Sequence, residues 1–356
     1  MLTAPGRAPA SCMSKKDKSY SLPTDFPRAP DARRELDLQD RRIQNIDCDR
    51  PSLSPDQIID HPRFSEARKY YIESFLAVYD GDPFLARLLI ESGRFFVHKL
   101  IILLNAAQED STPDTWLTVG RLKREMGQFG FASERQVDHL VRRLIAVDFL
   151  EQVPAEQDRR VRILKPTEKM LAHDRAWLVA HYVPLTILYP QNDYSLAMRG
   201  DPAFQIALGK TAVRLLPMVA QLMATVPEML LFFDYAAGQL VLAALLQAAL
   251  SEPDSQYARF SFTAISSRFG VSRTHVRKLL SEAQTNGLVR LHTVGGNAVE
   301  ILPRLWASYD RSIAIGMYLH HEAYAIVTGR AAAPEFFQAH ADTKMAAGAA
   351  PARRAQ

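Results

Sequence analysis

Cysteine is nearly absent from this chain of 356 residues: there are two, Cys12 and Cys48, both near the N-terminus. Neither can staple a core or complete a metal cage in the rest of the sequence, and a reducing compartment is the natural home. Long apolar runs are also missing. The best candidate, Ala212 to Leu250, is interrupted by Arg214, Pro217, Pro227, Glu228 and Asp234, which leaves no clean span of about 20 apolar residues. No membrane partner is therefore expected, and the start of the chain lacks the continuous apolar core of a signal peptide. Glycine is sparse, at 16 residues. No glycine loop follows a strand to cradle phosphate, and Gly295-Gly296 falls at a loop tip, where glycine simply permits positive φ. His320-His321-Glu322 lacks the spacing that sets two metal ligands on one helical face. Neither a Gly-x-Ser-x-Gly elbow nor a Cys/His nucleophile pair occurs. The expectation is a protein that is not an enzyme and holds no metal or cofactor.

An excess of one charge is missing too. Lys and Arg number 43 against 39 Asp and Glu, giving a net charge of +4 and a pI near 9.0. Values this mild permit nucleic-acid binding without demonstrating it, so the placement of the cations decides. The first 60 residues hold seven of the 21 prolines and ten basic against ten acidic side chains. They predict a mostly disordered segment with a short helix near Arg33 to Ile46. Residues 339–356, Ala-rich with two arginines close to the end, predict a disordered tail.

What is present is a repeat. Starting from His61-Pro62-Arg63-Phe64 and Asp201-Pro202-Ala203-Phe204, two stretches can be followed side by side for more than a hundred positions. Leu103-Leu104-Asn105-Ala106-Ala107 meets Leu245-Leu246-Gln247-Ala248-Ala249, Ser133 meets Ser272, and Asp174-Arg175 meets Asp310-Arg311. A period this long means a whole domain carried twice. The expected units are 61–200 and 201–338.

Each unit opens with a strongly apolar helical region, Phe64 to Gln108 or Phe204 to Leu250, suited to helices packed on each other and on the other copy. A polar break follows, and then Thr118 or Ser261 caps a short helix with Leu122 and Met126, or Ile265 and Phe269, on its inner face. Gly127 and Gly270 supply the turn. Ser133 and Ser272 cap the next helix, whose inner face is Val137, Leu140, Val141 and Leu144, or Val276, Leu279, Leu280 and Ala283. Phe149–Val153 with Val161–Leu164, and Leu288–Thr293 with Ala298–Leu302, read as hairpins. Helix, turn, helix and hairpin make a winged helix-turn-helix, expected at about 113–168 and 257–304. The fold class is thus mainly α with small β-hairpin wings, two such domains standing on a helical pseudo-dimer frame.

The first copy resembles the MarR-type regulators. The resemblance rests on Asp158-Arg159-Arg160 at the hairpin tip, followed by Leu164 and Pro166-Thr167, and on Ser133 to Leu144 with Phe149-Leu150-Glu151 behind it. In the second copy Val294-Gly295-Gly296-Asn297 replaces the Asp-Arg-Arg tip. The resemblance implies a transcription regulator of double-stranded DNA whose helix after the turn enters the major groove and whose wing arginine reaches the minor groove or backbone. It also implies a small-molecule effector pocket between the helical frame and each winged helix, for which Tyr71, Phe75, Phe95, Phe96 and Phe232 are the aromatic candidates. Such a protein would work in the cytoplasm, at the nucleoid, as a monomeric pseudo-dimer, with further dimerisation as the alternative.

With the inner faces buried, Arg135, His139 and Arg142 point outward in one copy, and Thr274, Lys278 and Ser281 in the other. The first residues of a major-groove helix reach base edges, which selects Arg135 and Gln136, and Thr274 and His275. Arg142, Arg143, Arg273, Arg277 and Lys278 suit phosphates, as do Arg159, Arg160 and Arg162 on the first wing. Ser133, Ser272 and Asn297 complete the candidate DNA surface. Two other readings share the architecture: tandem winged helices of the kind found in plasmid replication initiators, and winged helices that bind only protein. Two reading helices on such a frame would meet successive major grooves about 34 Å apart. Because their outward residues differ, they are expected to read an asymmetric or imperfectly palindromic site.

Overall fold

The computed structural model describes residues 53–127, 132–223, 225–252, 255–292 and 298–330. The predicted helix near Arg33 to Ile46 and the tail at 339–356 lie outside these residues. Inside them, residues 53–60 depart from the disordered segment assigned to 1–60. Ser54 accepts from the Gln57 amide while the Gln57 side chain returns to the Ser54 amide, and Pro55 pre-sets the first turn. This capping box starts α1 (Pro55–Ile59), which buries Ile58 completely.

The frame consists of α2 (Phe64–Ala77), α3 (Pro83–Leu89) and α4 (Ser92–Ala106), then α7 (Glu168–Leu188), α8 (Ser195–Met198), α9 (Pro202–Met223), α10 (Pro227–Asp234), α11 (Gly238–Ser251) and α14 (Pro303–Val327). Its packing is reciprocal. Helix α2 lies along α7 as α9 lies along α14, α4 crosses α9 as α11 crosses α2, and α7 meets α14. The matched pairs Asp174-Arg175 and Asp310-Arg311 fall early in α7 and α14, and each aspartate takes a cation from the frame: Lys99 at 2.5 Å and Arg68 at 2.7 Å. The chain is mainly helical, with two small antiparallel hairpins.

Between the frame helices the chain runs twice through the same order. In the first passage α5 (Val119–Gly127) leads to α6 (Glu134–Ala146), and β1 (Leu150–Pro154) pairs with β2 (Arg162–Pro166), Leu150 opposite Pro166. In the second, α12 (Phe262–Phe269) leads to α13 (Arg273–Thr285), and β3 (Val289–Leu291) pairs with β4 (Val299–Ile301). Thr118, Ser133, Ser261 and Ser272 each accept a hydrogen bond from an amide three residues on. Helix α5 runs through Gly127, whereas Gly270 ends α12 at φ 67°, a left-handed value that glycine adopts without strain. The hairpins each gain a partner that the sequence pattern did not suggest. Leu164 donates to Leu117, and Ala258 bridges Val299, so the residues ahead of α5 and α12 lie beside the returning strands.

The first passage packs on one end of the frame in a separate core, built by Leu117, Leu122, Val137, Leu140, Leu144 and Leu164 with Leu85, Leu88 and Leu89 of α3 and Val97, Leu100 and Ile101 of α4. The second shares one core with the frame: Phe262, Phe269, Val276 and Leu280 are continuous with α2, α7, α11 and α14. Helix α3 touches both. Its opposite face reaches the second passage, where Arg87 donates to the Gly270 carbonyl, and Asp80, just ahead of the helix, pairs with Arg268 at 2.7 Å.

No single helix among the described residues is long and apolar enough to cross a membrane. Helices α10 and α11 together would be, but they meet at 113°. Leu240, Val241, Leu242, Leu245 and Leu246 of α11 are fully buried in protein, each stabilising the fold by roughly 1.5–3 kcal/mol. A tight spot begins that helix: a Cβ on Gly238 would run into the Phe232 carbonyl oxygen. Gly238→Ala is expected to destabilise the protein by about 2 kcal/mol, read as a lower urea midpoint at unchanged slope. An unchanged midpoint would show that the bend simply gives way.

Candidate nucleic-acid interface and central cavity

Helix α6 carries Arg135, Gln136, His139 and Arg142 on exposed positions and Arg143 half-buried. Ser133 caps it, and Gln136 closes the capping box: its side-chain oxygen accepts from the Ser133 amide at 2.7 Å and hydroxyl at 2.9 Å. Gln136 as placed therefore does not offer both halves of its amide to adenine, and of the two candidate base readers at the start of α6 Arg135 is the one left open. Arg142 bonds the Asp138 carbonyl at 3.1 Å, and Arg143 lies over the Phe84 ring at 5.8 Å.

Most arginines of this surface are left without an acidic partner among the described residues. Glu134 and Asp138 both turn to Lys123, at 3.7 and 2.8 Å. At the hairpin tip Asp158 pairs with Arg160, which holds the Asp158 carboxyl below its usual range. Among the described residues no ion pair engages Arg135, Arg142, Arg143, Arg159 or Arg162. Arg160 is thus tied within the tip, while Arg159 and Arg162 stand exposed beside it. Lys165 on β2 is exposed as well and adds a cation beside the tip that the tip motif does not reveal.

On α13, Ser272 is spent as the cap, and Arg273, Thr274, Arg277 and Ser281 are exposed, with no ion pair at either arginine among the described residues. His275 is placed differently from the sequence expectation: its ring is half-buried and faces the frame, with Nε2 2.9 Å from the Ala236 carbonyl. Lys278 is exposed, as its place on the outer face implies, and its ammonium lies over the Tyr235 ring at 5.8 Å. Asn297 lies outside the described residues.

Four of the five effector candidates converge on one cavity of about 300 Å³, and its place differs from expectation. It lies inside the frame, walled by α2, α4, α7, α9, α11 and α14, and no residue of α5, α6, α12, α13 or the hairpins lines it. Small residues on the walls, among them Gly209, Ala212, Ala243 and Gly316, leave the space open. Tyr71, Phe75, Phe95 and Phe96 line it. Phe232 does not: it is fully buried in the core, and Phe233 faces the cavity in its place.

The polar part of the cavity was not anticipated. The Lys99 ammonium sits 2.5 Å from Asp174 Oδ1 and 3.2 Å from the centre of the Trp177 ring, a cation–π contact. Asp174 Oδ2 accepts from the Gln205 side chain at 2.7 Å. Burial pushes the Asp174 pKa up, but Lys99 and Gln205 outweigh it and the net shift is downward. Burial also lowers the Lys99 pKa, against the pull of Asp174. His181 stacks on Trp177 at 3.6 Å and takes Tyr71 at Nε2 and the Trp177 carbonyl at Nδ1, and its ring centre is 5.0 Å from His320. His321, next in the suggestive His-His-Glu run, is buried beside the Tyr194 hydroxyl, 2.6 Å away. A lysine and an aspartate amid apolar helix turns were the signal that could have found this site.

No protein-family model matches the chain, nor does any curated protein or any solved structure.

Proposed function

We propose that the protein is a sequence-specific binder of double-stranded DNA, a transcription regulator that acts at the nucleoid as a single-chain pseudo-dimer. On this reading each passage of helix, turn, helix and hairpin is a winged helix-turn-helix, and α6 and α13 read two different half-sites. The observation that carries it is the set of exposed arginines without ion pairs on α6, on the first hairpin and on α13, where nearby acids pair with other groups. A solvated helix face kept only for solubility would more commonly pair such residues along the helix. The frame cavity would take a ring-bearing, largely apolar effector, its volume lying at the lower end of small-molecule sites.

Selection of bound duplexes from random sequence, followed by footprinting, tests the reading. One chain per site is expected, with affinity falling steeply as salt rises. Arg135→Ala should weaken the selected site by about 5- to 150-fold and relax preference at one base pair, whereas Arg159→Ala should weaken all duplexes alike and flatten the salt slope by about one. Binding that shows no salt dependence, or none at all, would end the proposal.

A further inference from the structure

Helices α6 and α13 are not held alike. With Leu103 set against Leu245, Gly238 stands opposite Phe96, yet α4 already begins at Ser92 whereas α11 begins at Gly238. The first turn of α4 has thus become a bend in the second copy. Ala237 holds the bend at φ 55°, fully buried, with its amide on the Ile90 carbonyl at 2.5 Å. A non-glycine residue in that left-handed region is uncommon and persists where its surroundings fix it.

The bend grips α13. The Tyr235 hydroxyl donates to the Glu282 carboxylate, and the Tyr235 ring meets His275 edge-on at 5.3 Å and lies beneath Lys278. The Ala236 carbonyl lies 2.9 Å from His275 Nε2. His275, Lys278 and Glu282, spaced by three and four, form one stripe along the helix. In the first copy Gly93 stands opposite Tyr235 and has no side chain to offer: α6 packs on α4 through apolar side chains, and among the described residues no such polar grip from the start of α4 holds it. The other side of the same bend belongs to the cavity, through Phe233 and Gln239.

We propose that residues 233–239 are a lever that joins the central cavity to α13 and not to α6. Filling the cavity displaces Phe233 and Gln239, and the bend carries that displacement to the Tyr235–Ala236 grip. The second half-site is retuned while the first is left alone. Tyr235 is the positioning residue of this device. Its output on DNA rests on the function proposed above; its mechanics do not.

Amide exchange on the full chain tests the mechanics without DNA. Ala212→Phe places a ring in the cavity from α9, which is not part of the bend. Tyr235→Phe keeps the ring and removes only the bond to Glu282. Each is expected to speed exchange across residues 273–285 by about 10-fold while residues 134–146 stay within about 2-fold, a coupling of ordinary size. Equal change in both helices, or change in neither, overturns the lever. Footprints of the same variants should then differ at one half-site only. If exchange responds and the wild-type chain binds no duplex, the lever stands and the DNA reading falls. If the chain binds duplex and exchange in α13 does not respond, the lever alone falls.

Discussion

Moving from pH 7 to pH 5 is expected to remove about 5 kcal/mol of stability, because three histidines are buried without charge. His98 and His173 are each 2% exposed, and His181 is 7% exposed. Burial is the main cause in each case and lowers the pKa: to about 4 for His173, with Lys99 adding to it, and well below the ordinary value for His98 and for His181, where His173 and His320 respectively add like-charge repulsion. Above about pH 6.5 the imidazoles are neutral in both folded and unfolded chains and contribute nothing. Below it the unfolded chain takes up protons that the folded chain refuses, so stability falls with pH until the folded pKa is reached. Each such proton is worth about 1.4 kcal/mol per pH unit. His320, half-buried on the cavity wall and lowered to about 4 chiefly by burial, adds a smaller share. Urea unfolding between pH 7.5 and 4.5 measures the slope, and a value near pH 5.5 below that of a single proton would contradict this account. His173 has no hydrogen-bond partner at either ring nitrogen among the described residues. His173→Leu should therefore be neutral or stabilising at pH 7 and should take away about a third of the acid sensitivity.

Asp174→Ala is expected to destabilise by about 3–5 kcal/mol. The substitution leaves the Lys99 ammonium desolvated against Trp177, and it removes one of the two hydrogen bonds donated by Gln205 Nε2, which keeps the Leu171 carbonyl. Removing both charges, as Lys99→Met with Asp174→Leu, should recover most of that loss, because the cost lies in an unpaired buried charge rather than in the pair itself. A double variant as unstable as the single one would show that the carboxylate acts through something other than Lys99. Ligand-induced stabilisation, if the cavity takes an effector, should survive better in the double variant than in Asp174→Ala.

Much of the local architecture was legible because short-range rules governed it. The caps at Ser133 and Ser272 and the inner faces of α6 and α13 follow from spacing alone. Helix α1 was legible in principle, since Ser54-Pro55-Asp56-Gln57 is a capping box, but the prolines and charges around it masked the signal. The exchange of Phe232 for Phe233 has a different origin: on a helix one residue is a rotation of about 100°, and no periodicity in this apolar stretch fixes the phase. Gln136 and His275 look like base readers in sequence, yet one closes a cap and the other docks on a bend whose existence depends on the buried left-handed Ala237. Lys99 and Asp174 meet across two helices, and no short-range pattern brings them together. That the cavity sits inside the frame follows from the same kind of contact.

Helix α3 gives its leucines to the core of the first passage and its opposite face to the turn of the second, while α4 crosses α9 and α11 crosses α2. Two passages arranged in this way have lost the option of independence. Neither half can be cut out as a self-sufficient domain, and the chain should melt in one transition rather than two. The same sharing bears on inheritance: a core change in either half is felt by both.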